Sequence, residues 1–334
     1  MKRTVVFPLA IAVLLLAVSC GASNSGPSVS SASLTAAHVA AADLKPQNPG
    51  STPAPPAAVA ALKGKTLQID GSSALQPFFL NAAKYFDQGM GTSTTAVANG
   101  SGNGLKDVEA GSVKIGMSDF FAQESSNPAA FADLVDHRVA VVAFTLVVSK
   151  DIADKVQNLT QQEVIDIYTG KVANWKQLGG QNEAVTVVNR PLASGTRATF
   201  RKYVLGGATE NAGSTLQQDS TGAVATAVNS GQGAIGYVAT GFVLNPQFAD
   251  IFPVCIDGYG ATAANINSGK YKFWSFEHAY TKGTPAKNSV EQAFLDYVVT
   301  PGVQSTLLPA LGYLQVSQLT DAALATHPLP AGVK

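Results

Sequence analysis

Charge is what this chain of 334 residues has least of: Asp, Glu, Lys and Arg make up only 13%, with 22 of each sign and a net charge of zero. A balanced chain has no basic footprint, which argues against nucleic-acid binding. Any anion it holds must be held by local dipoles and one or two cations, not by a global field. Cysteine is nearly absent, with only Cys20 and Cys255. Histidine is scarce as well. His38, His137, His278 and His327 are scattered, and none stands at metal-ligand spacing from another. Each reads as a surface or interface residue, and no metal or other cofactor is expected. There is no Gly-x-Ser-x-Gly elbow, which argues against a serine hydrolase. Neither an internal repeat nor a coiled-coil heptad is present.

Long apolar runs are also missing, save one at the N-terminus. Lys2 and Arg3 precede an apolar stretch over residues 5–18, interrupted at Pro8 and shorter than the roughly 20 residues of a membrane span. Residues 1–20 read as a secretory signal peptide. Ala17-Val18-Ser19-Cys20 resembles a lipoprotein processing box, although Leu16 lies four residues before the cysteine and the usual leucine lies three before. Lipidation is therefore expected at Cys20; the alternative is ordinary cleavage with Cys20 free or discarded. If Cys20 is acylated, Cys255 has no partner. It lies in the strand-like run Ile251–Ile256 and reads as a buried, inert thiol.

What is present suits an α/β protein: 46% hydrophobic residues, 31 Gly and 17 Pro, in a length that allows about two domains. Residues 21–62 are rich in Ala, Ser, Pro and Gly and cannot bury enough surface to order themselves. With Pro53-Ala54-Pro55-Pro56 favouring extended backbone, they read as a disordered tether. From residue 63 the pattern alternates. Strands are expected at 66–70, 94–99, 113–117, 184–189 and 234–238, with helices at 74–86, from 104, and at 161–168, 196–204, 223–229 and behind Ser289. Thr160 with Glu163 forms a capping box, and such alternation means βαβ units with parallel strands. Residues 139–148 are apolar almost throughout, long for one buried strand and long enough to cross between two domains.

Four short segments look built to hold an anion. Three are Gly71-Ser72-Ser73-Ala74, Gly100-Ser101-Gly102-Asn103-Gly104 and the segment 190–197, in which Arg190 is followed by Ser194-Gly195-Thr196. Each runs into a helical pattern, so N–H groups, hydroxyls and the helix dipole meet there. The fourth, Gly116-Met117-Ser118-Asp119, supplies a carboxylate. A carboxylate belongs in an anion site only if the anion carries a proton to donate. At neutral pH phosphate does and sulfate does not. Taken singly each signal is weak. Arg190 could form a surface ion pair with Glu183 or Asp219, Asp119 could pair with Arg138, and Ser72 and Ser73 could be helix caps. Their joint placement at strand-to-helix junctions is the stronger sign, because parallel sheets place ligands at the carboxyl ends of their strands. Trp175 and Trp274 read as core or interface residues.

Together these segments resemble the periplasmic phosphate-binding proteins of ABC transporters (PstS-like), over about residues 65–315. Ile167-Tyr168-Thr169-Gly170-Lys171-Val172-Ala173-Asn174-Trp175 and Gly233-Ala234-Ile235-Gly236-Tyr237-Val238 carry the most specific likeness. The resemblance implies a two-lobe periplasmic-binding-protein fold of type II with a hinge, lobe 1 being residues 63–145 with 252–334 and lobe 2 residues 146–251. It implies an exported, lipid-anchored monomer that captures inorganic phosphate and delivers it to an ABC permease and its ATPase, without being an enzyme. Ser72, Ser73, Ala74, Ser101, Asp119, Arg190, Ser194, Gly195 and Thr196 would bind phosphate. Two departures stand out. The family commonly has Thr in the first loop where this chain has Ala74 or Leu75, and often has an acidic residue where this chain has Pro191-Leu192-Ala193. Competing readings are a binding protein for sulfate, molybdate or tungstate, a phosphate sensor, a phosphatase, or an adhesive lipoprotein.

Overall fold

The computed structural model describes residues 52–211 and 215–333. The signal peptide, Cys20, His38 and most of the expected tether lie outside the described residues.

The chain opens with β1 (Thr66–Gly71), α1 (Gln76–Met90), β2 (Ser93–Ala98), α2 (Ser101–Glu109) and β3 (Ile115–Ser118). β1 pairs in parallel with β2 on one side and β3 on the other. Helix α1 carries Pro77 in its first turn, buries Phe78, Phe79, Ala82 and Phe86 along one stripe, and stops at Gly91 in the left-handed region. The expected alternation is therefore present, with boundaries shifted by a few residues.

β4 (Leu134–Ser149) is 16 residues long and buried at every position from Val139 onward. A strand apolar on both faces needs cover on both. After it come α3 (Lys150–Ala153), β5 (Asn158–Leu159), α4 (Gln161–Tyr168), β6 (Thr186–Asn189) and α5 (Gly195–Tyr203). Then follow β7 (Thr215–Gln217), α6 (Thr221–Asn229), β8 (Ala234–Ala239), α7 (Thr240–Val243), β9 (Ile251–Ile256) and α8 (Ala263–Asn267). The chain closes with β10 (Trp274–Lys282), α9 (Val290–Val298), α10 (Pro301–Ala310), β11 (Tyr313–Leu314) and α11 (Asp321–Leu324).

Among the described residues the strands run β2-β1-β3-β10-β4-β8-β6-β7, and β4 joins two halves of this sequence. Its first part, Leu134 to Ala143, lies antiparallel to β10, which in turn pairs with β3. Its second part lies antiparallel to β8 from Phe144 to Val148 and to β9 from Leu146 to Ser149. One half gathers β1, β2, β3 and β10; the other gathers β6, β7, β8 and β9. The fold is α/β with two lobes, and the long apolar run read from the sequence is the strand they share. Both tryptophans are fully buried, as their reading requires.

Three expectations are corrected. The last residues of the expected tether are not loose: Pro53 and Leu62 are buried, Tyr297 Oη donates to the Ala54 carbonyl at 3.1 Å, and Pro56 packs on Gly89. His278 is buried within one lobe and not at a surface or interface, whereas His327 is buried where the two lobes meet. Each is a ring within an aromatic cluster, His278 beside Phe121 and His327 between Tyr203 and Trp274. Cys255 is fully buried, and it is not a free thiol.

Candidate anion-binding site

The ends of β1 and β3 in one lobe and of β6 in the other point at one place, and three helices begin there. α2 starts with Ser101, α5 with Gly195-Thr196 and α6 with Thr221, and all four of these residues are buried. No acidic residue occupies the first turn of any of the three. Their partial positive ends are therefore left for something else.

Asp119 sits at the centre of one wall. Its two oxygens accept from Ser101 Oγ at 3.3 Å and Thr196 Oγ1 at 2.9 Å, so groups from both lobes meet on one carboxylate. Ser101 Oγ also accepts from the Asp119 N–H at 3.1 Å. Burial raises the Asp119 pKa above the usual carboxylate range, opposed by the hydroxyls of Ser72 and Thr196, the Arg190 charge and Ser101.

Arg190 forms the other wall and is 1% exposed. Its Nη1 donates to Thr221 Oγ1 at 3.2 Å, and its Nη2 to Ser73 Oγ at 3.2 Å and to the Asp219 carbonyl at 3.1 Å. Its Nε has no partner among the described residues. Burial lowers its pKa from the ordinary value, offset by surrounding groups that include Asp119, and it stays a cation. Behind it, the Asn189 Oδ1 accepts from the Arg190 N–H at 2.8 Å and from Tyr237 Oη at 2.5 Å. Arg197 Nη1 donates to the Arg190 carbonyl at 2.8 Å. The acidic residue missing between Arg190 and Ser194 is thus replaced by a carbonyl and two hydroxyls. The surface pairs considered for Arg190 and Asp119 do not form: Asp219 offers its carbonyl, and Arg138 lies 3.9 Å from Asp136 instead.

The first loop behaves differently from expectation. The Ser72 N–H donates to the Met117 carbonyl, and Ser72 Oγ accepts from the N–H groups of Ala74 and Leu75 at 3.0 Å each. The Ser72 and Ala74 amides are therefore occupied within the loop. Ser73 supplies the group that faces the cup: its hydroxyl bonds Thr221 Oγ1 at 2.9 Å as well as Arg190. Ser194 caps α5 through the Arg197 N–H at 3.2 Å. All nine residues singled out from the sequence come together here. Thr221 and Asn189 were missed. Ser220-Thr221 before a helix has the same grammar as Ser194-Gly195-Thr196, and that signal could have found Thr221.

The lobes touch directly: the Gly102 N–H of one donates to the Ala193 carbonyl of the other at 2.9 Å. Beside this contact lies a largely apolar cleft of about 1280 Å³, with Asp119 in its wall together with Leu105, Phe120, Phe276, Leu192 and Tyr203. A buried cation, a buried carboxylate, several hydroxyls and three helix starts can surround a small oxyanion that also carries a hydrogen.

A family model described as a PBP superfamily domain matches residues 50–301. The phosphate-binding protein PstS of Bacillus subtilis is 39% identical over 255 residues, covering 76% of this chain and 82% of that protein. Among solved structures, one from Clostridium perfringens is described as a phosphate ABC transporter substrate-binding protein with bound phosphate. It superposes with a TM-score of 0.66 at 26% identity, covering 75% of this chain and 100% of that one. An ABC-type phosphate transport receptor from Vibrio cholerae shares the fold, with a TM-score of 0.58 at 23% identity over 75% of this chain and 99% of that one. By fold, by family model and by identity over most of its length, the chain belongs to the PBP superfamily and, within it, to the PstS family of phosphate-binding proteins.

Proposed function

We propose that this protein captures inorganic phosphate outside the cytoplasmic membrane by closing two lobes on it, and delivers it to an ABC permease. One observation carries the choice of ligand: a buried carboxylate, Asp119, stands in the same cup as Arg190 and the three helix starts. An acceptor in an anion site is repulsive unless the ligand brings a proton, and hydrogen phosphate does. Arg190 and Ser73 hold oxygens on one side, Ser101, Ser194, Gly195 and Thr196 hold them on the other, and Asp119 takes the P–OH. Ser72 and Ala74 shape the first loop. Thr221 joins the set because its hydroxyl faces both Ser73 and Arg190.

Lobe 1 is expected at residues 63–145 with 252–334 and lobe 2 at 146–251. Because β9 pairs with β4 from Leu146 onward, the return crossing is moved from the expected 251/252 boundary to after Ile256. Micromolar affinity needs about 8 kcal/mol. A dozen hydrogen bonds at about 1 kcal/mol each, the charge-assisted ones worth more, can supply it after desolvation. The reading is binding without turnover, and hydrolysis of p-nitrophenyl phosphate by the purified chain would overturn it.

Calorimetry on the chain lacking residues 1–20, stripped of ligand by refolding, tests the ligand. Tight phosphate binding with sulfate rejected at neutral pH is expected. Equal affinity for both would reduce Asp119 to a structural group, and no binding of phosphate at millimolar concentration would end the reading. Anchoring through Cys20 completes the proposal. A lipid thioether and a disulfide to Cys255 would use the same sulfur, so the mass of the N-terminal peptide from the native membrane decides between them.

A further inference from the structure

Glu277 lies in β10, between β3 and β4, and none of its surface is exposed. Neither of its carboxyl oxygens has a hydrogen-bond partner among the described residues, and no cation pairs with it. The β10–β3 ladder ends with His278 paired to Ser118, so Glu277 and Asp119 are the next residues on the two chains just beyond the last pair.

An isolated carboxylate in such a place costs several kcal/mol, so the group sheds its charge instead. Burial pushes the Glu277 carboxyl well above the usual range, and the Asp119 charge adds to this. No positively charged side chain forms an ion pair or hydrogen bond with its oxygens among the described residues. Asp119 faces it from the end of β3. Tyr313 of β11, whose hydroxyl donates to the Ala74 carbonyl, is a phenol that Glu277 and Asp119 further discourage from ionising after burial itself. The next residue along β10, His278, has its Nδ1 2.8 Å from Asp136 Oδ1. The cation of the cup, Arg190, acts on Asp119 and is spent on Ser73, Thr221 and Asp219.

Two neighbouring carboxyls without enough positive charge hold a proton between them. Which of them keeps it follows from the bonds each accepts. Asp119 accepts from two hydroxyls and feels Arg190; Glu277 accepts from nothing. We propose that Glu277 is a positioning residue of the anion site: it keeps the shared proton, so that Asp119 stays a carboxylate and can accept the P–OH of the ligand. This rests on the reading that the ligand is phosphate. In its neutral form Glu277 also has an O–H to give. Losing that proton would put two anions side by side beneath a third.

The inference predicts a pH profile. Dissociation constants for inorganic phosphate are measured from pH 7 to about pH 10 on the wild-type chain and on Glu277→Gln, a neutral group of the same shape. At pH 7 the two should agree within about threefold. On going alkaline the wild type should weaken at least about tenfold more than the variant, because only the wild type can create the second charge. Infrared difference spectra of the wild type should show a protonated-carboxyl C=O band at pH 7 that fades at alkaline pH and is missing from Glu277→Gln. Coinciding pH profiles, or a band that the substitution leaves untouched, would overturn the inference. If the wild type binds no phosphate, the functional reading fails. The infrared comparison of the wild type with Glu277→Gln still decides whether Glu277 holds the proton, since that measurement needs no ligand.

Discussion

Gly195 has no room for a side chain. A Cβ there would lie 2.8 Å from the Asp119 Cβ and closer still to Ser101 Oγ, both in the other lobe. Carbon atoms do not approach so closely, so a methyl group must either push the lobes apart or tilt the start of α5. Either movement carries Thr196 Oγ1 off Asp119, and displacements of about 1 Å in a preorganised site cost on the order of a hundredfold. Gly195→Ala should therefore bind phosphate at least tenfold more weakly by calorimetry, roughly 1.4 kcal/mol or more. Its melting temperature without ligand should change little, because the clash lies between lobes and not within either core. Unchanged affinity would mean that the lobes do not close as tightly as this geometry requires.

At the scale of elements, α5 is held at its foot by a buried ion-pair fork. Arg197 Nε and Nη2 reach the two oxygens of Glu210 at 2.9 and 3.2 Å, and Arg201 Nε lies 3.3 Å from the same carboxylate. The free end of the Arg197 guanidinium then holds the Arg190 carbonyl, so this fork sets the height of the binding arginine. Burial alone would raise the Glu210 pKa, but the Arg197 bond and charge and the Arg201 charge outweigh it and hold the carboxyl below its ordinary value. A lowered carboxylate contributes stability above its unfolded pKa and loses it as pH falls through the folded value. Glu210→Gln should cost about 2 kcal/mol in denaturant unfolding at pH 7. The gap between variant and wild type should narrow below about pH 4, where the unfolded carboxyl takes up its proton. A constant gap across that range would show that packing, not charge, is what the substitution removes.

The same scale separates what the sequence discloses from what it hides. Local grammar was legible. Thr160 and Glu163 make the capping box read from their spacing, Ser289 caps α9, and residues 139–148 lie within the strand shared by both lobes. Arg190 and Asp119 were legible because a cation and a carboxylate near Gly/Ser loops are unusual company. Thr221 had a local signal in Ser220-Thr221 before a helix, but its partnership with Ser73, 148 residues away, had none. Glu277 was hidden for a similar reason. Its meaning depends on having no partner, and that is a property of packing between β3, β10 and β4 which no spacing along the chain contains. The burial of His278 and His327 likewise comes from rings brought in by distant elements.

Taken whole, the molecule has a second line of contact between its lobes, across the cleft from the anion cup. Lys202 at the end of α5 reaches Glu124 at 2.5 Å, and Tyr203 stacks on His327 with ring centroids 3.8 Å apart. His327 stacks in turn on Trp274 at 3.7 Å and makes a 2.8 Å bond between its Nε2 and the Trp274 carbonyl. The C-terminal segment thus pins the end of α5 to the start of β10. Burial pulls the His327 pKa down to about 3, with the bond to Trp274 opposing and the charges of Lys202 and Lys272 reinforcing. The ring is therefore neutral in the fold and protonated in the unfolded chain below about pH 6.5. A lowered histidine contributes stability that is complete above the unfolded pKa and lost as pH falls toward the folded one, here from about 6.5 to about 3. The slope is about 1.4 kcal/mol per pH unit for one proton. His327→Phe keeps a ring in the stack and removes the proton-binding group. At pH 7 it should be less stable by about 1 kcal/mol for the lost bond. Between pH 6.5 and pH 4 its melting temperature should fall less than that of the wild type, so that the two curves approach or cross. Parallel curves would mean that His327 binds its proton equally well in the fold and in the unfolded chain, so that its neutrality is not what pins the lobes.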